Sequence, residues 1–262
     1  MSTLFQIDAF TAEPFKGNPA AGCLLTQPKD PAWMQQVAAE MNLSETAFVH
    51  RDGESFGLRW FTPACEVDLC GHATLAAAHA LWEHRWLKPF DVAHFSTRSG
   101  TLTAEQGEHW IHLDFPKEVA EESGFPDELL RGLGAVNPRW VGRNRLDYLV
   151  ELESEATVRA FSPNLAALAG LESRGVIVTA PADPGEFDFV SRYFAPSCGI
   201  AEDPVTGSAH CALAPYWSKK LGKTRMTGYQ ASQRGGTVRV EVGADRVKLS
   251  GQAVTVFRGQ LV

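Results

Sequence analysis

The sequence predicts an α+β protein of two pseudo-symmetric domains, each a mixed sheet wrapped around a central helix. Three observations carry this. The stretch RYFAPSCGIAEDPVTGSAHCALAPYW, 192–217, restates RWFTPACEVDLCGHATLAAAHALW, 59–82. Arg59, Phe61, Pro63 and Cys65 match Arg192, Phe194, Pro196 and Cys198 at a constant offset (192 − 59 = 133), and Trp82 against Trp217 extends the match after a two-residue insertion. Self-similarity at half the chain length marks duplicated halves, not a short-period solenoid. Each half also reads strand, strand, helix, strand, strand, long helix, further strands. Finally, the two long helical runs, ATLAAAHALW and SAHCALAPYW, are small or apolar nearly all round, the composition of a buried helix.

Residues 4–10 alternate apolar and polar, a strand pattern. Phe15-Lys16-Gly17-Asn18-Pro19 reads as a turn into an apolar strand at 20–25. Asp30-Pro31 supplies an N-cap and a first-turn proline for a helix over 33–41. Strands at 45–50 and 56–61 join around Arg51-Asp52-Gly53, and the first long helix covers 72–86. Strands follow near 92–97, 101–104 and 109–115. Composition then turns acidic and polar over 116–126, which sets the domain boundary: 1–116, joined by a C-terminal strand at 253–262, and 117–252. Beyond it, strands are expected at 140–141 and 146–152, a short helix capped by Ser162-Pro163, and strands at 175–180 and 187–194. The second long helix, 209–221, contains Pro215, which should kink or shorten it. Strands at 237–242, 246–249 and 253–257 complete the chain.

At 262 residues, 44% hydrophobic and 21% charged, the composition is that of a globular protein, neither disordered nor fibrous. The formal net charge of −7 argues against nucleic acid or an anionic membrane as partner. No basic leader or membrane-length apolar window is visible, which points to a cytoplasmic location. Five cysteines, without a CxxC or zinc spacing, are expected to be free thiols. The eight histidines form no HExxH or comparable pair, and His112-Leu113-Asp114 reads as one strand face, so no metal site is expected.

Both long helices open on residues that leave backbone N–H groups accessible, Gly71-His72-Ala73 and Thr206-Gly207-Ser208. The first helical turn has unpaired donors and a partial positive charge, which suit a carboxylate or phosphate. Duplicated halves would bring two such ends to one cleft and hold a small anion there; the plainer alternative is two ordinary capped helix starts. Asp203, before Pro204, reads either as a helix cap or as a carboxylate beside the cleft. His72 could move a proton near neutral pH or be a satisfied structural histidine. Glu45 lies at a helix-to-strand junction, where glutamates are usually exposed. Cys65 and Cys198, each following a proline motif, fit repeated core packing. A helix N-terminus would lower the pKa of Cys70 if its sulfur points inward.

At these residues the chain closely resembles the PhzF family of phenazine-biosynthesis-like isomerases, within the diaminopimelate-epimerase-like fold. The matching pieces are Phe15-Lys16-Gly17-Asn18-Pro19-Ala20, Asn42-Leu43-Ser44-Glu45-Thr46-Ala47-Phe48, Asp68-Leu69-Cys70-Gly71-His72-Ala73-Thr74 and Glu202-Asp203-Pro204-Val205-Thr206-Gly207-Ser208. The resemblance implies barrel-like sheets, an active site between the two domains, a homodimer, and no metal or organic cofactor. It implies that Glu45 is the general acid/base, assisted by His72 and Asp203. Asn18, Ser44, Cys70, Gly71, Thr206, Gly207 and Ser208 would bind a small carboxylate substrate. A dry, apolar cleft would raise the pKa of Glu45.

Related epimerases pair one cysteine from each half. Here Cys70 is answered by Asp203-Pro204, so a symmetric two-thiol racemase is not expected. The phenazine enzyme itself has no cysteine at the place of Cys70, so its substrate is not expected either. Two alternatives remain beside the isomerase: an epimerase in which Cys70 acts with Glu45 or Asp203, and a carboxylate-binding protein without catalysis. Cys70→Ala should be mild for the isomerase and severe for the epimerase.

Overall fold

The computed structural model describes residues 2–261 and contains two compact units. Unit 1 runs through residue 114 and resumes at 250; unit 2 covers 115–249.

In unit 1, β1 (Ser2–Ala9) and β2 (Asn18–Leu25) pair antiparallel, with Ala9 opposite Asn18 at the turn. The turn is held tightly. The buried Asp8 carboxylate accepts from Phe15 N at 2.6 Å, and Phe15 adopts φ 70°. At Gly17, φ is 62°, and a Cβ would stand 2.2 Å from the Ala9 carbonyl oxygen, so only glycine fits. Helix α1 (Pro31–Met41) begins as read, with Asp30 accepting from Ala32 N at 2.8 Å, and stops at Asn42 in the left-handed region. It returns the chain to β3 (Thr46–Asp52), parallel to β2, which turns back into β4 (Ser55–Phe61). The short β5 (Glu66–Val67) pairs on β4 and leads into α2 (Gly71–Glu83). Then β6 (Ala93–Thr97) lies parallel to β4, and β7 (Gly100–Gln106) and β8 (Ile111–Pro116) add antiparallel. Helix α2 packs against β1, β2 and β3 and is buried from His72 to Ala78 without a break. Its alanines let the surrounding strands come close, which an amphipathic helix would not.

Unit 2 opens on β9 (Glu121–Glu122), paired with β10 (Trp140–Arg143), with α3 (Asp127–Leu133) between them in sequence. β11 (Asp147–Glu151) pairs antiparallel with β10. Two short helices, α4 (Glu155–Ala160) and α5 (Leu165–Leu168), lead to β12 (Gly175–Pro181), parallel to β11. β13 (Phe189–Ala195) and β14 (Ile200–Asp203) follow antiparallel, then α6 (Gly207–Leu221). β15 (Arg225–Gln230) lies parallel to β13, β16 (Gly236–Val242) pairs with β15, and a turn closed by Gly243 N on Arg246 O opens β17 (Arg246–Gly251). The last strand, β18 (Ala253–Leu261), pairs antiparallel with β1 in unit 1. Val262, the end of the expected final strand, lies outside the described residues.

The duplication is visible in the pairing order, because β1 to β7 and β10 to β16 use the same alternation of antiparallel and parallel neighbours. It is also visible in side chains. Arg59 grips Glu66 with two bonds of 2.7 Å, and Arg192 grips Glu202 with bonds of 2.7 and 2.8 Å. Each guanidinium lies over a phenylalanine two residues on, Phe61 and Phe194. Such two-pronged pairs fix geometry as well as charge.

Several local expectations change. Cys65 and Cys198 are exposed, because the turns after Pro63 and Pro196 leave the sheet and do not pack into it. The short helix after Ser162-Pro163 is capped by Asn164, whose side chain accepts from Ala167 N, and α4 before it has its own cap at Ser154. Pro215 does not shorten α6. A proline frees the carbonyl four residues earlier, and here that carbonyl, Cys211 O, accepts from Glu118 N at 3.1 Å. Among the described residues, no helix is long and apolar enough to cross a membrane.

Candidate active site

Three of the residues singled out by sequence come together in unit 1. Glu45 sits just ahead of β3, where its carbonyl accepts from Ala21 N at 3.1 Å and so ties it to β2. Cys70 is the N-cap of α2, with extended backbone (φ −147°, ψ 113°), and His72 lies in the first turn. Thr74 donates to Cys70 O at 2.5 Å, which fixes the cap from inside the helix.

His72 Nε2 stands 3.1 Å from Glu45 Oε2, and the side chains are only 6% and 14% exposed. The two atoms are close but not in line, and neither has an aligned hydrogen-bond partner. On the other edge of the ring, Cys70 Sγ lies 3.5 Å from Nδ1. Ligand-type atoms of the three residues lie within 4.8 Å of one another, a spacing open to a cation. The thiol lies nearest Nδ1 and the carboxylate nearest Nε2, and sulfur and carboxylate oxygen also stand within 4.8 Å of each other. The cluster brings a carboxylate, an imidazole and a thiol together in one buried corner.

The electrostatics correct two expectations. Burial alone would raise Glu45, but the facing His72 charge, with close polar contacts from His72 and Cys70, holds its carboxyl below the ordinary 4.5. His72 shifts the opposite way. Burial disfavours its charge, yet Cys70 and Glu45 hold it well above 6.5. Cys70 is pushed up, first by burial and then by the Glu45 carboxylate, which outweigh the helix N-terminus expected to lower it. The resting cluster is therefore carboxylate, imidazolium and neutral thiol.

Unit 2 gathers a second set. Asp203 ends β14 and is buried, and the Thr206 hydroxyl donates to Asp203 Oδ2. Thr206 is the N-cap of α6, followed by Gly207 and the half-buried Ser208. Gln230, which no motif flagged, organises this corner: its Oε1 accepts from Thr206 N at 2.8 Å, and its Nε2 donates to Asp203 O at 2.7 Å and to Thr206 Oγ1 at 3.2 Å. It stands at the end of β15, a strand without a sequence signal of its own. His210 Nδ1 donates to Thr206 O at 2.9 Å, as Thr74 does to Cys70 O, and burial drops its pKa to about 4, so it stays neutral.

The helix starts, Gly71 and Gly207, differ by more than the arginines do (207 − 71 = 136), so the insertion is three residues and Thr206 occupies the place of Cys70. Asp203 is what the uninterrupted offset would give (70 + 133 = 203), three residues short of the Thr206 N-cap. A hydroxyl cannot serve as a thiol's equal in acidity, and among the described residues the N-cap of α6 offers no thiol to match Cys70. Of the other residues named from sequence, Asn18 is buried at the head of β2, Ser44 precedes Glu45 half-buried, and Gly71 lies between Cys70 and His72.

The chain thus has duplicated α+β halves and a buried carboxylate–imidazole pair at one central helix. The phenazine biosynthesis-like protein family (PhzC-PhzF) matches residues 7–259, and the chain belongs to it. A relative from Halalkalibacterium halodurans, named an uncharacterized isomerase, is 52% identical over 260 residues, covering 99% of this chain and 98% of its own. An uncharacterized isomerase of Pseudomonas aeruginosa is 48% identical over the same length, with 99% and 98% covered. The crystal structure of a PhzF-family phenazine biosynthesis protein from Enterococcus faecalis superposes with a TM-score of 0.95 at 43% identity, covering 100% of both chains. With these relatives, the protein is an isomerase.

Proposed function

We propose that the protein moves a proton between carbon positions of a small carboxylic acid, with Glu45 as the acid/base and His72 as its partner. The observation that carries this is the buried, unaligned 3.1 Å approach of His72 Nε2 to Glu45 Oε2. Charged and neutral forms of the pair exchange one proton, and a site waiting for substrate commonly holds its catalytic hydrogen bonds out of line. Glu45 takes the proton from one carbon and returns it to another. His72 stabilises the carboxylate before the transfer. The first-turn amides of α2, beginning at Gly71, suit the substrate carboxylate, with Asn18 and Ser44 as further binding residues. Asp203, Thr206, Gly207 and Ser208 are proposed to supply substrate contacts of their own, ordered by Gln230. The reading needs no cofactor, and a homodimer is the proposed assembly.

Small cyclic and amino carboxylic acids screened in heavy water should reveal at least one that gains deuterium at carbon in the presence of the protein. Acids that bind without any exchange would make it a carboxylate-binding protein instead.

The pH dependence follows from the opposed shifts. Glu45, lowered, is ionised and stabilising above 4.5, and its contribution is lost as pH falls through its depressed native value. His72, raised, is charged and stabilising below 6.5, and loses this as pH rises through its elevated native value. The profile of kcat/KM should therefore be flat from pH 4.5 to 6.5, with its acid limb below and its alkaline limb above. A midpoint inside that window would contradict the paired state.

A further inference from the structure

We infer that Cys70 is a positioning residue for His72: its sulfur holds the Nδ1 edge of the ring so that Nε2 is the nitrogen presented to Glu45. This rests on the acid/base reading above and assigns the thiol a part within it.

Three observations lead here. The sulfur is 3.5 Å from Nδ1 while Nε2 is 3.1 Å from the carboxylate, so each ring nitrogen has a polar neighbour of its own, and the three groups are gathered within 4.8 Å. The thiol is also buried, 7% exposed, where an oriented contact is not diluted by water. Finally, the same design recurs in unit 2 with different chemistry. The N-cap side chain there, Thr206, also turns to a polar residue of its own corner, Asp203, and the residue four on again ties down the cap carbonyl. An N-cap hydroxyl or carboxylate ordinarily bonds the first-turn amides. In these two corners neither cap side chain makes the full capping bond, and each stands against a neighbouring acid or base.

A thiol suits the place because sulfur can donate weakly to a neutral Nδ1 or accept from a protonated one. It can therefore follow His72 through either protonation state. A hydroxyl can do the same; a methyl group cannot. A ring held at both edges keeps the tautomer that aims Nε2 at the carboxylate, and outer partners that fix an imidazole in this manner are worth about ten- to a hundredfold.

The test uses the full-length protein and three variants, Cys70→Ala, Cys70→Ser and, as a control, the exposed Cys65→Ser. Cys70→Ala should lower kcat by about ten- to a hundredfold with KM nearly unchanged, and move the alkaline limb of the pH profile to lower pH. Cys70→Ser should recover most of kcat, and Cys65→Ser should match the parent. Ring nitrogen shifts of His72, read by NMR without substrate, should show a less charged imidazole in Cys70→Ala than in the parent at the same pH. This readout needs no turnover, so it separates failure of the positioning role from failure of the isomerase reading. An alanine variant with parental kcat and parental His72 shifts would overturn the inference. So would complete inactivity of both Ala and Ser variants with unaltered His72 shifts, since that pattern makes the thiol itself the acid, as in an epimerase.

Discussion

Glu45→Gln should lose turnover by about a hundred- to ten-thousand-fold while the folded chain and its ligand affinity persist. The substitution keeps volume, replaces one carboxylate oxygen by an amide NH2 and removes the charge that accepts the proton. Unfolding should remain a single cooperative transition at a lowered midpoint, because removing the carboxylate leaves the buried His72 without its charge partner. Equilibrium binding of an exchange-active acid should stay within a few-fold of the parent. Full activity in Glu45→Gln would remove the mechanism at its root. A collapse of stability with activity would assign Glu45 a structural role instead.

How much of this was legible beforehand depends on what each residue reports. The duplication, the two buried helices and most strands were readable, since alternation and all-round small composition are properties of the chain alone. Strand β9 lay inside the acidic stretch taken as the boundary, and helix α3 lay just beyond it, where no pattern was read. The actual anchors of that stretch, Lys117 N to Asp245 O and Glu118 N to Cys211 O, are long-range backbone bonds that leave no sequence pattern. The grouping of Glu45, Cys70 and His72 was foreseen only by resemblance. Glu45 was read the wrong way round because burial was considered without the neighbour: a dry site raises a lone carboxylate, and an imidazolium at 3.1 Å reverses it; Cys70 was misread because the helix N-terminus was considered without burial. Gln230 was not foreseen at all, since a single glutamine at a strand end resembles many others.

Trp217→Ala should destabilise the protein by about 3–5 kcal/mol, read as a shift in the urea midpoint at constant slope. Trp217 is 2% exposed on α6, stacked on Phe189 at 5.9 Å and nearly parallel to it. Its indole donates to Thr179 Oγ1 at 3.0 Å, and the Thr179 hydroxyl in turn donates to Val190 O at 2.6 Å. Truncation thus leaves a large cavity and removes a donor from a buried acceptor, two costs that add. Trp217→Phe should recover most of the packing and lose only the hydrogen bond, about 1 kcal/mol. A loss under about 1 kcal/mol for the alanine variant would mean that α6 is not the centre of its unit.

The matched clamps Arg59–Glu66 and Arg192–Glu202 have a bearing on how such a chain can change over time. Both halves retain the same brace immediately upstream of residues that no longer agree, a thiol and an imidazole in one, two hydroxyls in the other. Inheritance has kept the scaffolding twice and let the fittings drift apart. New substrates can then be explored by rewriting a few positions after each brace, with neither sheet disturbed.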